Sequence, residues 1–427
     1  MRSNEPLTVT VGPDVLGQVM NGIASEFISD VTLNKRIITR LKRKAEVRAP
    51  GIIPRAAVTE PLYTGLRVVD SLIPLGRGQR ELIIGDRKIG KTTIGLDTIA
   101  NQKRNNQYFS IEGFGAKRLY CIYAAVGQKK RTLRSIEQKL IATDCFWYTN
   151  LISAFADDLA PRKYRTPYAG TANGEYFRDN GEHALIVYDD LTKHADAYRQ
   201  RSLLLEASPG REAFPGDIFY THSRLLERSA KRSKRYGYGS LTALPIVETQ
   251  AGDVSGYIAT NVISITDGQI FLDGELFNRG LKPAVNVGLS VSRVGSKAQT
   301  ALMKLAAGQL KGIIAQYRER ELFTKFGSDL DATVKAALHH GKLGSHTMVQ
   351  DHSSPTSVEK QTITRLLVSS HKLDSFVDGE TIGKFIIVLI FLLNSARFAF
   401  TYNSFFNLQD KSLDEDFLTR FNCQWEA

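Results

Sequence analysis

The stretch Gly85-Asp86-Arg87-Lys88-Ile89-Gly90-Lys91-Thr92 fits the pattern G-x-x-x-x-G-K-[ST] and stands where that pattern can act. The apolar run Glu81-Leu82-Ile83-Ile84 enters it as a strand, and Thr93-Ile94-Gly95-Leu96-Asp97-Thr98-Ile99 leaves it as a helix. Glycines let backbone N–H groups turn inward around phosphate oxygens, and the positive end of the helix dipole adds to the attraction. Lys91 is expected to bridge the β- and γ-phosphates of ATP, or to reach the β-phosphate of ADP, Thr92 to give its hydroxyl to Mg²⁺, and Thr93 to join them in holding the nucleotide. A second run, His183-Ala184-Leu185-Ile186-Val187-Tyr188, ends in Asp189-Asp190. A buried strand seldom ends in paired acids unless a cation needs them. Asp189 is therefore the expected partner of Mg²⁺, while Asp190 reads as well as a helix N-cap.

Positioning these groups takes a sheet. Short β-branched runs (Glu81–Ile84, Leu119–Val126, Ala184–Tyr188, Leu241–Val247, Val262–Ile265, Val285–Val291) alternate with helix-length segments from about residue 60 to 295. That alternation predicts the α/β class, a parallel sheet covered by helices. From Ser296 strand signals stop, and a helical C-terminal domain is expected, with a loop at Gly341–Pro355 and the surface pair His339-His340 on a helix. The spans are 1–20 as a lead-in, 21–295 as the phosphate-binding domain and 296–427 as the helical domain.

Composition narrows the rest. The net charge of +12 is scattered in short clusters such as Lys129-Lys130-Arg131, which read as solvated surface. Cys121, Cys145 and Cys423 are odd in number and lack C-x-x-C spacing, so neither a disulfide framework nor a zinc site follows. The longest apolar run, Phe385–Leu393, falls short of the ~20 residues that span a bilayer. The start, Met1 to Val11, has neither a signal-peptide core nor a transit-peptide pattern.

Four stretches carry a family resemblance: Gly174 to Asp179, Ala197-Tyr198-Arg199-Gln200, Pro209 to Asp217, and Val247 to Ser255 continued by Thr260 to Gln269. With Pro283 to Ser292 they resemble the alpha subunit of F-type ATP synthases. The resemblance implies a RecA-like P-loop nucleotide-binding domain followed by an all-helical C-terminal domain. It further implies an alternating hexamer with beta subunits around a central-stalk gamma subunit, with a peripheral stalk. The assembly would be peripheral on the matrix side of the mitochondrial inner membrane, or on the cytoplasmic side of a bacterial plasma membrane, with no nucleic acid. At the end of strand Leu119–Val126 stands Gln128, where catalytic relatives carry Glu. An amide cannot accept a proton from water as a carboxylate can, so the site is expected to hold Mg·ATP without turning it over; Gln128 as a plain polar strand end is the bland reading.

By the same resemblance Arg293 is an arginine finger offered to the beta subunit's catalytic site; the alternative is a surface salt bridge. Phe277, Lys282, Pro283, Gln350 and His352 correspond to the purine pocket. Departures fall in the P-loop, where Lys88-Ile89 replace Gln-Thr, and in the purine pocket, where Lys282 stands in place of the usual Arg and His352 replaces a glutamine. The family's N-terminal β-barrel does not precede Leu7–Val11, and a separate polypeptide is expected to supply it. A RecA-like hexameric motor acting on nucleic acid is the competing reading, and Gln128 argues against it.

Overall fold

The computed structural model describes residues 6–24, 41–112, 118–324 and 332–369. Two compact units emerge, one of residues 1–298 with 351–355, the other of residues 299–350 with 356–427.

The first unit is built on strands β1 (Thr8–Val11), β2 (Gln18–Asn21), β3 (Leu41–Lys44), β4 (Pro61–Leu62), β5 (Leu75–Gly76), β6 (Leu82–Gly85), β7 (Leu119–Gln128), β8 (Thr149–Phe155), β9 (His183–Asp189), β10 (Ser240–Glu248), β11 (Gly268–Phe271) and β12 (Val291–Ser292). Its helices are α1 (Arg67–Leu72), α2 (Lys91–Glu112), α3 (Lys130–Ala142), α4 (Ala160–Asp179), α5 (Leu191–Leu204), α6 (Ile218–Leu226), α7 (Tyr257–Ile265) and α8 (Gly274–Asn278). The second unit holds α9 (Ala301–Thr324), α10 (Ala332–His346) and α11 (Val358–Ser369).

One eight-stranded sheet runs β12-β11-β6-β10-β9-β7-β8-β2, parallel throughout except for the antiparallel β12. Helices on its faces bury both sides, so β6, β9 and β10 read as near-continuous apolar runs with almost no exposed residue. Helix α3 shows the complementary pattern, burying Leu133, Ile136 and Leu140 on a single stripe. Residues 18–21 form the edge strand β2 beside β8, so the first stretch belongs to the sheet unit and is not a separate lead-in.

Four expectations need correction. Val262–Ile265 is helix, not strand: Gly256 opens α7, and Ile258, Val262 and Ile265 are its buried stripe at spacings of four and three. The run Val285–Val291 is mostly turn. The Asn286 side-chain oxygen accepts from Gly288 N at 3.0 Å and bends the chain, so that Val285 makes a single bridge to Leu272 and the strand β12 is confined to Val291–Ser292, paired with Gly268–Gln269. The loop expected at 341–355 begins later, because α10 continues through Gly341 and Gly344. A Cβ at Gly341 would lie 2.3 Å from the Tyr317 Cβ, so that glycine permits close packing of α10 on α9. On the same helix His340 is buried rather than on the surface. Cys121 and Cys145 are buried free thiols, whereas Cys423 and Phe385–Leu393 lie outside the described residues. No described helix is long and apolar enough to cross a membrane.

Candidate nucleotide site

The site lies at the carboxyl edge of the parallel sheet, where ligands of open α/β sheets bind. Strand β6 ends in Gly85, whose φ of +156° and contact with the Leu272 carbonyl, 2.7 Å from a would-be Cβ, leave no room for a side chain. The loop then turns through Lys88 at φ +65° and Gly90 at φ +102° into α2. Open space surrounds Gly90, so its glycine answers to backbone conformation. Ile89 is buried beneath the loop, while Arg87 and Lys88 are exposed. Asp86 ties the loop down: its Oδ1 accepts from Thr249 Oγ1 at 2.7 Å and from Gly252 N at 2.9 Å. Arg87 Nε donates to Glu248 Oε2 at 3.0 Å.

Lys91 is buried, and its Nζ folds back to donate to Gly85 O at 2.8 Å and to Asp86 O. Burial lowers its pKa, against the pull of Glu248, Asp190, Asp189 and Asp86. This ammonium curled onto loop carbonyls sits at the mouth of the cradle. Thr92 Oγ1 donates to Asp189 Oδ2 at 2.8 Å, and the Tyr123 hydroxyl donates to the same oxygen. Thr93 is half-buried in the first turn of α2. Thus the hydroxyl and carboxylate expected to share Mg²⁺ are already neighbours.

Asp190 has a different task. Its side chain caps α5, accepting from Lys193 N at 2.7 Å, and pairs with Lys193 Nζ at 2.9 Å. Burial pushes its pKa up to about 6 against the pull of Lys193, and Asp189 adds to the rise. The helix-capping reading holds for this residue.

Gln128 owes its aim to a β-bulge. Pairing of β7 with β8 shifts register between Val126 and Gln128, and Gly127 takes φ +64°. The buried Gln128 amide then turns toward the end of β9, with Nε2 3.5 Å from Asp189 O, while its Oε1 has no hydrogen-bond partner. An orphaned buried amide oxygen facing the Asp189 end of the sheet fits a site that takes a polar ligand.

On the adjoining segment Leu272 N donates to Ile84 O at 2.8 Å, anchoring α8 beside the P-loop strand. Lys282 Nζ stands 5.3 Å from the centre of the Phe277 ring, and Pro283 follows through a cis bond. His352 enters through residues 351–355, where Ser353 N donates to Asp97 Oδ2 of α2 at 3.2 Å. Gln350 is buried and belongs to the second unit.

Arg293 lies elsewhere. Because β12 runs antiparallel to β11, Ser292 pairs with Gly268 and Arg293 emerges at the amino edge of the sheet. Its backbone N donates to Asp267 O at 2.8 Å, and Asp267 N donates to Arg80 O at 2.8 Å. Arg80 also grips the Asp267 carboxylate with Nε and Nη2, at 3.0 and 2.8 Å. From Arg80 to the Gly85 end of β6 is roughly 16 Å of extended backbone.

A family model for the ATP synthase alpha/beta family nucleotide-binding domain matches residues 65–292, and one for the C-terminal domain of the same alpha/beta proteins matches residues 299–405. The protein belongs to the ATP synthase alpha/beta family. It is 50% identical over 428 aligned positions to an ATP synthase subunit alpha of Wolbachia pipientis subsp. Culex pipiens (strain wPip), covering 99% of this sequence and 82% of that one. It is 54% identical over 360 positions to the mitochondrial ATP synthase subunit alpha of Schizosaccharomyces pombe, covering 84% of this sequence and 66% of that one.

Within the family's nucleotide-binding domain, sequence reasoning named the cradle and the acid at the end of β9. It missed Tyr123, Glu248 and Lys193, which brace Asp189, Arg87 and Asp190. Tyr123 carries no signal in a run of core residues, since only the fold shows that its hydroxyl meets Asp189. Thr249 and Gly252 were visible as part of a motif, but their task of holding Asp86 was not.

Proposed function

We propose that the protein is the alpha subunit of a rotary, proton-translocating ATP synthase, holding Mg·ATP or Mg·ADP at a cradle that does not turn over and offering Arg293 to an adjacent beta subunit. The observation that carries this reading is polarity along β6. The cradle opens at the carboxyl end and Arg293 stands at the amino end, so the guanidinium serves a site on another subunit. Gln128 supports the silence of the protein's own site, because its amide lacks a carboxylate's basicity.

Residues 85–93 would hold the phosphates, and Thr92 and Asp189 would reach Mg²⁺, which when bound offsets phosphate charge. Phe277 with Lys282 and Pro283 would flank the base, and His352 and Gln350 are the remaining contacts inferred from the family. The alternating hexamer with beta subunits, the gamma subunit and the peripheral stalk come with the same reading. So does a peripheral place on the matrix face of the mitochondrial inner membrane or the cytoplasmic face of a bacterial one; the Wolbachia and S. pombe relatives support either.

The test has two arms. The purified protein should bind Mg·ATP with near-zero hydrolysis; substantial hydrolysis by it alone would turn the reading toward a self-sufficient motor. In the assembled complex Arg293→Lys should leave nucleotide binding at this subunit intact. It should slow turnover by about 10³–10⁵, because an ammonium cannot reproduce the planar guanidinium fork. A loss of tenfold or less would return Arg293 to the surface.

A further inference from the structure

Strand β12 is two residues long, lies at the edge of the sheet and exposes Val291, so its pairing with β11 alone holds the chain weakly where Arg293 leaves it. The buried side-chain amide of Gln79 supplies a second hold. Its Oε1 accepts from Gly76 N at 2.9 Å, and since a backbone N–H only donates, the amide cannot be turned round. Its Nε2 therefore faces the other way and donates to Glu81 Oε2 at 2.7 Å and to Ser292 Oγ at 3.0 Å. Ser292 is equally committed. Its hydroxyl donates to Pro74 O at 2.8 Å, a carbonyl that can only accept, and so accepts from Gln79 Nε2 and from Gly295 N at 3.2 Å. Both N–H groups of the Gln79 amide, and the donor and both lone pairs of the Ser292 hydroxyl, are thus in use. These bonds close around Arg293 from either side. Ser292 precedes it, Gly295 stands just beyond it, and Arg293 N itself donates to Asp267 O at 2.8 Å. The Gln79 backbone is in turn fixed to the sheet, since Ala243 N of β10 donates to its carbonyl at 2.9 Å. A buried glutamine needing only its own hydrogen bonds would find them in its own turn; this one reaches 213 residues along the chain to a half-buried serine.

We infer that Gln79 is a positioning residue for Arg293: through Ser292 it fixes the backbone from which the guanidinium reaches out of the sheet. Its effect on turnover rests on the finger reading of Arg293; its effect on the loop rests on hydrogen-bond geometry alone. Gln79→Met keeps the length and approximate volume of the side chain and removes all three of its hydrogen bonds. In the purified protein this change should leave Mg·ATP binding at the P-loop intact. The Arg293 and Gly295 amides should nevertheless exchange their hydrogens roughly tenfold faster or more, the worth of a lost hydrogen bond. In the assembled complex it should lower kcat by about 10–10²-fold at unchanged KM, the scale of an ångström-sized misplacement of a reacting group. On an Arg293→Lys background the same change should cost less than about twofold, because the two residues act as one unit. Ser292→Ala should reproduce both effects, and Ser292→Thr, which keeps the hydroxyl, should recover most of the loss; this pair carries the test if Gln79→Met does not assemble. Three results would each overturn the role: exchange at 293 and 295 as in the wild type, a loss in kcat that multiplies with that of Arg293→Lys, or Ser292→Thr as impaired as Ser292→Ala. A loss of about tenfold or less in Arg293→Lys alone would remove the finger reading instead, with faster exchange in Gln79→Met still marking the clamp on the loop.

Discussion

Lys91 is the residue on which the cradle turns. Burial makes its ammonium costly, and the two loop carbonyls and four nearby carboxylates offset only part of that cost, since its pKa is still lowered. Lys91→Ala should weaken Mg·ATP binding to the purified protein by roughly 10²-fold, the scale of a lost charge-assisted contact. Titration with a fluorescent nucleotide checks this directly. Turnover of the assembled complex should fall far less, since the affected site is silent under the proposed function. Equal loss of binding and turnover, with assembly intact, would mean that Gln128 has been misread and this cradle is catalytic.

At the scale of elements, two helical glycines make opposite demands. Gly308 lies on α9 with nothing within 4 Å of a would-be Cβ, whereas a Cβ at Gly341 on α10 would lie 2.3 Å from that of Tyr317. Gly308→Ala should therefore raise stability by up to about 1 kcal/mol through helix propensity alone. Gly341→Ala should instead lower it by about 1–3 kcal/mol through overpacking, despite the same propensity gain. Thermal melts of the two variants should move in opposite directions. The contrast also shows what the sequence could and could not disclose. Gly85 and Gly90 were legible because their spacing to Lys91 is a local code, and β6, β7, β9 and β10 were legible as long apolar runs. Gly341 reads as a breaker in one dimension, and only the packing of a second helix shows why it sits inside one. Val262–Ile265 misled for a similar reason: β-branched residues at helical spacing look like a strand when the flanking Ile258 is left out of the window. The bulge that aims Gln128 depends on tertiary pairing with β8, which no local pattern encodes.

Across the sheet unit as a whole, stability should carry a pH signature set by buried charge. His194 and His222 are fully buried on α5 and α6, with Nδ1 of the first 3.2 Å from Nε2 of the second. His194 Nε2 lies 3.0 Å from Tyr164 O, and a carbonyl only accepts, so that nitrogen carries the proton. His194 Nδ1 is then bare and accepts from His222 Nε2–H, leaving His222 Nδ1 bare and without a partner. Both rings are neutral in this arrangement, and a further proton on the bare His222 Nδ1 would break no hydrogen bond but would leave a buried imidazolium whose new N–H has no acceptor. Burial accordingly lowers the His222 pKa to about 4, and burial with the His222 charge lowers that of His194 well below its usual value. A depressed folded-state pKa means that the unfolded protein binds more protons on acidification. The contribution of His222 is thus intact above its unfolded value near 6.5 and is lost as pH falls through about 4. Asp190 works the other way: with its folded pKa raised to about 6, its contribution is present at low pH and is lost as pH rises through that value. The two overlap, so a raw stability profile would blur them, whereas a difference profile separates them. In His222→Gln the amide cannot take the proton and Asp190 is unchanged. Hydrogen exchange at the buried amides of α4 and α6, corrected for intrinsic rates, should show the wild-type advantage over this variant shrinking by about 2–3 kcal/mol between pH 7 and pH 4.5. A difference that stays constant with pH would mean that His222 takes up its proton as readily in the folded protein as in the unfolded one, and the reading of it as a ring held neutral by burial would fall.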